Sequence, residues 1–552
     1  MTATTALAEK NNALSPFSHC GILTSRIQVH VKDKRSGLTY VYESISYWDK
    51  EKKQPRCRRH LLGRLDQASG EMVPTDGRGL RRNKVKLGSY QIHHRFYGAS
   101  YLFSQIAEKT GVASDLESCF PGQSRMILSL AIFMLLGENM AVYRFAKWNA
   151  THWHPFLENI PSQRASEAFQ SISDESIQRF FKLQGKRRCD NEYLAYDSTS
   201  ISSYSQRLNQ VRYGKNKEDE HLAQVNLLLL FGEQSRLPFY YRKVAGNITD
   251  VKTVERLLDE LDMYELKKTK LVMDRGFYSE NNINALYSAH KKFLIGLKIS
   301  LKKVLAPVME ANRNIKDQFS CYSDVFGIYG KTIRTQWGFS QKRPRKGDVV
   351  EEPRTIYIHL FYNPSNAADE APAFDHYLAQ LRDELFTGKR AEAHENAYSE
   401  YFEVHETPKR GIKVTPKQEA IIEHKKNMGY FALASNEKMK AFEALSIFRS
   451  KDVVEKAFGN IKERLNCRRL LVSEERSLDG KFFVAFISLI LASYVKKVME
   501  DKKIYSEYTM AEVLDQLDVI ECFEQEGKKM SIGEVTEKQR RLYEAFGIIP
   551  PA

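Results

Sequence analysis

The stretch from Ile447 to Lys462 constrains this chain more than any other. Wound as an α-helix at about 100° per residue, it brings Phe448, Lys451, Glu455 and Lys462 into an arc of roughly 60°. Val454, Ala457, Phe458, Ile461 and Leu465 form an apolar stripe beside that arc. The helix is expected to bury the stripe and to lay an aromatic ring, two cations and one carboxylate along its edge. Charges beside an apolar stripe ordinarily mean a packed helix with a solvated face. The same edge also suits a second role, because a carboxylate framed by cations can hold a phosphate substrate together with a metal ion.

Two upstream aspartates give that second role its partners. Asp197 follows Tyr193-Leu194-Ala195-Tyr196 and precedes Ser198-Thr199-Ser200, which reads as a short strand ending on an acid. Asp274 follows Lys270-Leu271-Val272-Met273, and Arg275-Gly276-Phe277 then turns into a helix starting near Ser279. Either aspartate alone is ordinarily a turn former or a helix cap. Together with Glu455 they form a set, since acids at adjacent strand ends can share divalent metals through oxygen ligands.

On these residues the chain resembles the DDE transposases of bacterial insertion sequences, in the group whose last catalytic block reads Tyr-x2-Arg-x3-Glu-x6-Lys. Here that block is Phe448-x2-Lys451-x3-Glu455-x6-Lys462, with Phe for Tyr and Lys for Arg. The resemblance extends to Tyr196-Asp197-Ser198-Thr199, to Gly246-Asn247-Ile248-Thr249-Asp250 and to Met273-Asp274-Arg275-Gly276-Phe277. Tyr40 to Ser44 and Tyr47-Trp48-Asp49 are similar to the leader segment of one branch. The resemblance implies that Asp197, Asp274 and Glu455 are catalytic and hold two Mg²⁺ ions, with Mn²⁺ able to substitute. It implies cut-and-paste transposition: hydrolysis at the element's ends frees a 3′-hydroxyl, which attacks target DNA. Phe448, Lys451, Lys462, Arg275 and Trp337 are the expected DNA contacts. At 451, Lys in place of Arg turns a planar fork into a point charge. At 448, the ring is kept and the hydroxyl lost. Trp337 has a second reading, as an ordinary core tryptophan.

Composition is consistent with a polyanionic partner. The 552 residues carry a net charge of +15, and the pI is near 9.2. Residues 1–100 hold 18 Lys+Arg against 8 Asp+Glu, so they carry +10 of it. Arg56, Arg58, Arg59, Arg64, Arg78, Arg81, Arg82, Lys84 and Lys86 are the dense part. Such a basic arm favours DNA, although a soluble basic surface has the same composition. The seven cysteines show no CxxC spacing, which argues against a zinc finger, and an odd count suits a reducing cytoplasm. Met1 to Ser15 lacks the pattern of a signal peptide. Phe482 to Val495 is short for a membrane span and reads as a buried helix. These features suit a cytoplasmic chain with no membrane partner, and the resemblance implies the bacterial cytoplasm, in association with the nucleoid.

The strand and helix pattern predicts an α/β mixed-sheet core interrupted by a β-rich insertion and preceded by a basic region and a helical domain; the resemblance implies that this core is RNase H-like. The expected boundaries are 1–96 for the basic DNA-binding region and 97–188 for the helical domain. The core comprises 189–300 and 441–500, separated by an insertion at 301–440, and 501–552 form a helical tail. The helical run Ala99–Thr110, followed by Gly111 and a second helical start near Ser114, reads either as a helix-turn-helix-like unit or as a plain helical packing domain. Thr249 or Asp250 is expected to cap a helix that runs through Leu261. The insertion carries the basic loop Lys342 to Lys346. Thr509-x-x-Glu512 and Thr536-x-x-Gln539 are capping boxes that predict two short helices. The partners expected are terminal inverted repeats, target DNA and a second copy in a synaptic homodimer. Two rival readings are a metal-dependent nuclease without strand transfer and a non-catalytic DNA-binding descendant of a transposase.

Overall fold

The computed structural model describes residues 26–552 apart from 35, 50–53, 67–68, 74–91, 138–139, 189–191, 206, 215–221, 267, 300, 302–304, 343–348, 408–410, 460–473 and 526–527. Lys462, the arginines at 78, 81 and 82, Lys84, Lys86 and most of the Lys342 to Lys346 loop lie outside the described residues. The chain divides into two compact units, 1–91 and 92–552.

The first unit is an antiparallel sheet of β1 (Arg26–Lys32), β2 (Thr39–Asp49), β3 (Gln54–Leu65) and β4 (Met72–Val73). Its long β2–β3 ribbon bulges between Val41 and Tyr42. Gln54 to His60 are exposed on both faces of β3, including Arg56, Arg58 and Arg59.

The second unit begins with β5 (Ile92–Phe96). The expected boundary at 96 therefore falls five residues late, because β5 pairs with a strand from the C-terminal end of the chain. Among the described residues six helices follow, at Gly98–Lys109, Val112–Cys119, Ser124–Leu136, Phe145–Asn149, Ser162–Ser171 and Asp174–Arg188. They pack around the 27-residue helix Glu475–Asp501. Gly480 allows that contact: a Cβ there would lie 2.1 Å from the Phe169 carbonyl oxygen. The long helix is apolar enough to cross a membrane by length and composition, but 83% of its most apolar window is buried within the protein.

The remaining strands build one sheet. They are β6 (Tyr193–Ser202), β7 (Gln224–Gly232), β8 (Pro238–Ala245), β9 (Lys270–Met273), β10 (Lys292–Leu297), β11 (Tyr322–Ser323), β12 (Ile328–Lys342) and β13 (Val349–Tyr362). β14 (Phe402–Thr407) and β15 (Gly411–Pro416) pair separately, and β16 (Tyr430–Ser435) returns to the sheet. The nine strands run in the order β11-β12-β13-β16-β10-β9-β6-β7-β8. β6, β7 and β8 are antiparallel neighbours, whereas β6, β9 and β10 are parallel. β6 and β7 are buried along their whole length; β7 is the nearly continuous apolar run expected of a strand covered on both faces, whereas the second half of β6 buries the polar residues Asp197 to Ser200. β17 (Glu521–Gln525) pairs with β5 and with β18 (Ser531–Ile532).

Two expectations change here. The segment 301–440 is not a separate β-rich body. β16 pairs with β10 on one side and β13 on the other, so β11, β12 and β13 extend the same sheet. The part that leaves the sheet is mainly helical, with helices Pro364–Thr387, Glu395–Tyr401 and Gln418–Lys426 around β14 and β15. The tail beyond 501 also carries strands as well as its two capped helices, Met510–Asp518 and Glu537–Ala545.

Candidate active site

Asp197 does not end its strand. β7 pairs with β6 as far as Ser202, so Asp197 lies mid-strand, and it is the parallel partner β9 that stops. The last β6–β9 pair is Tyr196 with Met273. Asp197 and Asp274 each follow by one residue, on strands that neighbour at about 4.7–4.9 Å. The register alone therefore brings the two acids together. Asp197 is 9% exposed, and its Oδ1 accepts from the Ser198 backbone N–H at 2.8 Å. Asp274 heads the single turn Arg275–Phe277, and Phe277 N–H donates to its carbonyl at 3.1 Å. Gly296 on β10 leaves room for that turn, since a Cβ there would lie 2.9 Å from Arg275 N.

The stretch carrying Glu455 is not one helix. It consists of Ala441–Ser450 and Asp452–Gly459, broken at Lys451. At the break Lys451 N–H bonds back to Phe448 and Val454 N–H to Lys451, a spacing of three residues rather than four. The second helix buries Val454, Ala457 and Phe458 against β6 and β7, as its stripe predicts, and leaves Glu455 exposed. Glu455 lies in the first turn, where a carboxylate is favoured by the helix N-terminus.

Lys451 is the centre of the arrangement. Its Nζ lies 3.3 Å from Glu455 Oε1 and 3.9 Å from Asp274 Oδ1. Its side chain is only 11% exposed, whereas the two carboxylates are about half exposed. A lysine expected on a solvent-facing edge is instead enclosed between two acids. Its ammonium also lies 5.4 Å from the centre of the Phe448 ring, close enough for a cation–π contact. Phe448 packs its ring against a small apolar cluster that includes Val272, Leu294 and Leu445. Arg275 is exposed beside Asp274. Trp337 is not at this site: it is 4% exposed, and its indole N–H donates to Asn284 Oδ1 at 2.8 Å. Its packing is that of a core tryptophan.

The three acids offer only carboxylate oxygens, the donor type that hard divalent cations take. An ammonium already sits between two of them, so the structure itself places positive charge there. Among the described residues, no three His, Cys, Asp or Glu side chains converge closely enough to enclose a metal ion. The carboxylates fit Mg²⁺ in donor type, while in this structure Asp274 and Glu455 are gathered on Lys451 rather than around a common point.

One neighbour of this site has a role that its local sequence does not suggest. Thr249 takes the N-cap position without a side-chain cap bond, and the helix Val254–Met263 is entered through a 3₁₀ turn, Asp250–Thr253. The Asp250 carboxylate accepts from Ser198 Oγ at 2.5 Å. No local pattern encodes that bond, because the two residues are far apart in sequence.

A family model described as the transposase DDE domain matches residues 189–491, which contain all three acids. Comparison with curated proteins gives no match. Among solved structures, the chain is similar to the piggyBac transposase in a synaptic complex with hairpin DNA. The identity is 11%, over 81% of this chain and 77% of that one, at a TM-score of 0.33, a likeness too loose to bear on the fold. The match of the domain model over more than half of the chain decides the family: this chain belongs to the DDE transposases.

Proposed function

We propose that this chain is the transposase of a bacterial insertion sequence, in the group with the Tyr-x2-Arg-x3-Glu-x6-Lys signature, and that it moves its element by cut-and-paste. One observation carries the reading: the β6–β9 register sets Asp197 beside Asp274, and Lys451 joins Asp274 to Glu455. An RNase H-like core is supported by the spatial order of three antiparallel strands, β8, β7 and β6, followed by parallel β9 and β10.

In this reading Asp197, Asp274 and Glu455 hold two Mg²⁺ ions. Bound there, the ions would lower the pKa of an attacking water or hydroxyl and offset charge on the leaving oxygen. The chain's own residues supply orientation and charge. Lys451 is positioned to meet a phosphate oxygen beside the acids, as a point charge on a buried stem. Arg275 would meet the backbone on the other side of Asp274. The exposed cationic strand β3 would bind DNA through phosphates, independent of sequence. Terminal inverted repeats and target DNA are the partners, with two copies in the synaptic complex, in the bacterial cytoplasm.

The test is a reaction of the full chain with Mg²⁺, a labelled DNA carrying the element's inverted repeat, and a supercoiled target plasmid. The expected products are ends bearing a 3′-hydroxyl, followed by repeat DNA joined to plasmid. Cleavage with no joined product would replace transposition by the nuclease reading. Absence of both, with DNA bound, would leave a non-catalytic binding protein.

A further inference from the structure

We infer that Asp250 is a positioning residue that fixes the spacing of Asp197 and Asp274 from beneath the sheet. The inference rests on the reading of those two acids as metal ligands.

Side chains alternate across a strand, so Ser198 points away from the face that carries Asp197. Tyr196 shares the Ser198 face, and its ring lies 5.0 Å from that of Phe277, in the turn that follows Asp274. On this face Ser198 Oγ donates to Asp250 Oδ1 at 2.5 Å. The other carboxylate oxygen lies beside the second acid's turn: a Cβ added to Gly276 would be in ordinary van der Waals contact with Asp250 Oδ2, at 3.5 Å. The carboxylate thus bonds the residue after Asp197 and lies beside the second residue after Asp274.

The turn that carries Asp250 is itself fastened to the Asp274 turn. Asn282 is 2% exposed, and its Nδ2 donates to Val251 O at 2.8 Å and to Phe277 O at 2.7 Å. Its own backbone N–H is held by Ser279 Oγ at 3.0 Å. On the other side, Asn226 of β7 donates to Gly246 O and Ile248 O, holding the approach to Asp250. A buried amide that satisfies two carbonyls from different turns resists their separation, since parting them leaves polar groups unpaired. The 250–253 turn is therefore a common support for both acids: its carboxylate holds the Ser198 hydroxyl, and its Val251 carbonyl shares the Asn282 amide with Phe277.

Groups that orient metal ligands typically change metal affinity or activity by about 10–100-fold when removed. The test uses the full chain in five variants: Asp250→Ala, Asp250→Asn, Ser198→Ala, Asp197→Ala and Asp274→Ala. Mn²⁺ binding is followed by calorimetry without DNA, the Mg²⁺ dependence of cleavage on repeat DNA, and melting without metal. Asp250→Ala and Ser198→Ala should weaken Mn²⁺ binding and raise the Mg²⁺ requirement at least tenfold, with cleavage largely restored at high Mg²⁺. Asp250→Asn keeps an acceptor for Ser198 Oγ and should stay within about threefold of the unaltered protein. Unchanged Mn²⁺ binding in both Asp250→Ala and Ser198→Ala, with binding lost in Asp197→Ala, would overturn the positioning role alone. Equal loss in Asp250→Asn and Asp250→Ala would also overturn it, by making Asp250 a direct ligand. Intact Mn²⁺ binding in Asp197→Ala and Asp274→Ala would instead overturn the metal site on which the inference rests. If Asp250→Ala does not fold, Ser198→Ala carries the same comparison.

Discussion

Replacing Lys451 by Met separates electrostatics from packing at the candidate site. The substitution keeps an unbranched apolar stem in a position that is 11% exposed and removes the ammonium between Asp274 and Glu455. Both carboxylates are about half exposed, so solvent screens their attraction to Lys451. At near-water dielectric a pair about 4 Å apart is worth ~1 kcal/mol, and exposed pairs measure about 0–1 kcal/mol. The loss of two such pairs should therefore cost about 1 kcal/mol, a fall in Tm of no more than about 3 °C. Removing a charged hydrogen bond to the reacting phosphate costs more, about 1.5–3 kcal/mol, or roughly 10–150-fold in rate. Lys451→Met should thus cleave repeat-containing DNA at least tenfold more slowly at saturating Mg²⁺, with nearly unchanged melting. Phe458→Ala, two turns along, provides the contrast: Phe458 is 6% exposed in the stripe, and its truncation should cost ~3–5 kcal/mol. Single-turnover cleavage and differential scanning fluorimetry on both variants make the measurement. Cleavage by Lys451→Met within about threefold of the unaltered protein would refute a phosphate role. A fall in its Tm as large as that of Phe458→Ala would make Lys451 a packing residue.

Asp197→Ala, Asp274→Ala and Glu455→Ala should each abolish Mg²⁺-dependent cleavage and leave DNA binding largely intact. Near-normal cleavage in any one of them removes that residue from the site. Deleting residues 1–91 should weaken DNA binding and flatten its salt dependence, by about 0.9 in log–log slope for each phosphate no longer neutralised. Deleting 1–96 should in addition lower the Tm, because it strips β5 from β17; equal melting of the two deletions would count against that pairing. His154 and His359 are buried, and burial lowers both pKa values from 6.5 to about 4. The unfolded chain takes up these protons first, so stability present above pH 6.5 should be lost as pH falls towards 4, by about 3 kcal/mol for each histidine. Chemical denaturation across that range should show the decline, and a flat profile would contradict their burial as neutral imidazoles.

Much of the local structure was legible in the sequence because it depends on neighbours along the chain. The capping boxes at Thr509 and Thr536 form as their spacing predicts, each with the reciprocal bond to Glu512 or Gln539. The apolar runs of β6, β7, β9 and β10 are strands, and the stripe of Val454, Ala457 and Phe458 is buried. The acids themselves stood out by residue type and flanking pattern. What only the tertiary structure decided concerns contacts between distant segments. Pairing by β7 carries β6 past Asp197, and the β6–β9 register sets that acid beside Asp274. The break at Lys451 escapes a periodicity that assumes one regular helix, yet it encloses the lysine between two carboxylates. β16 joins the supposed insertion to the core sheet because β10 offers it an edge, a property of the assembled sheet rather than of either segment. Asp250 stands in a recognisable block, but its tie to the site is not written there, since its partner Ser198 lies on another strand and its neighbour Gly276 on another turn. Periodicity and capping act over a few residues and can be read from the chain, whereas register, enclosure and buried polar ties exist only once remote segments meet.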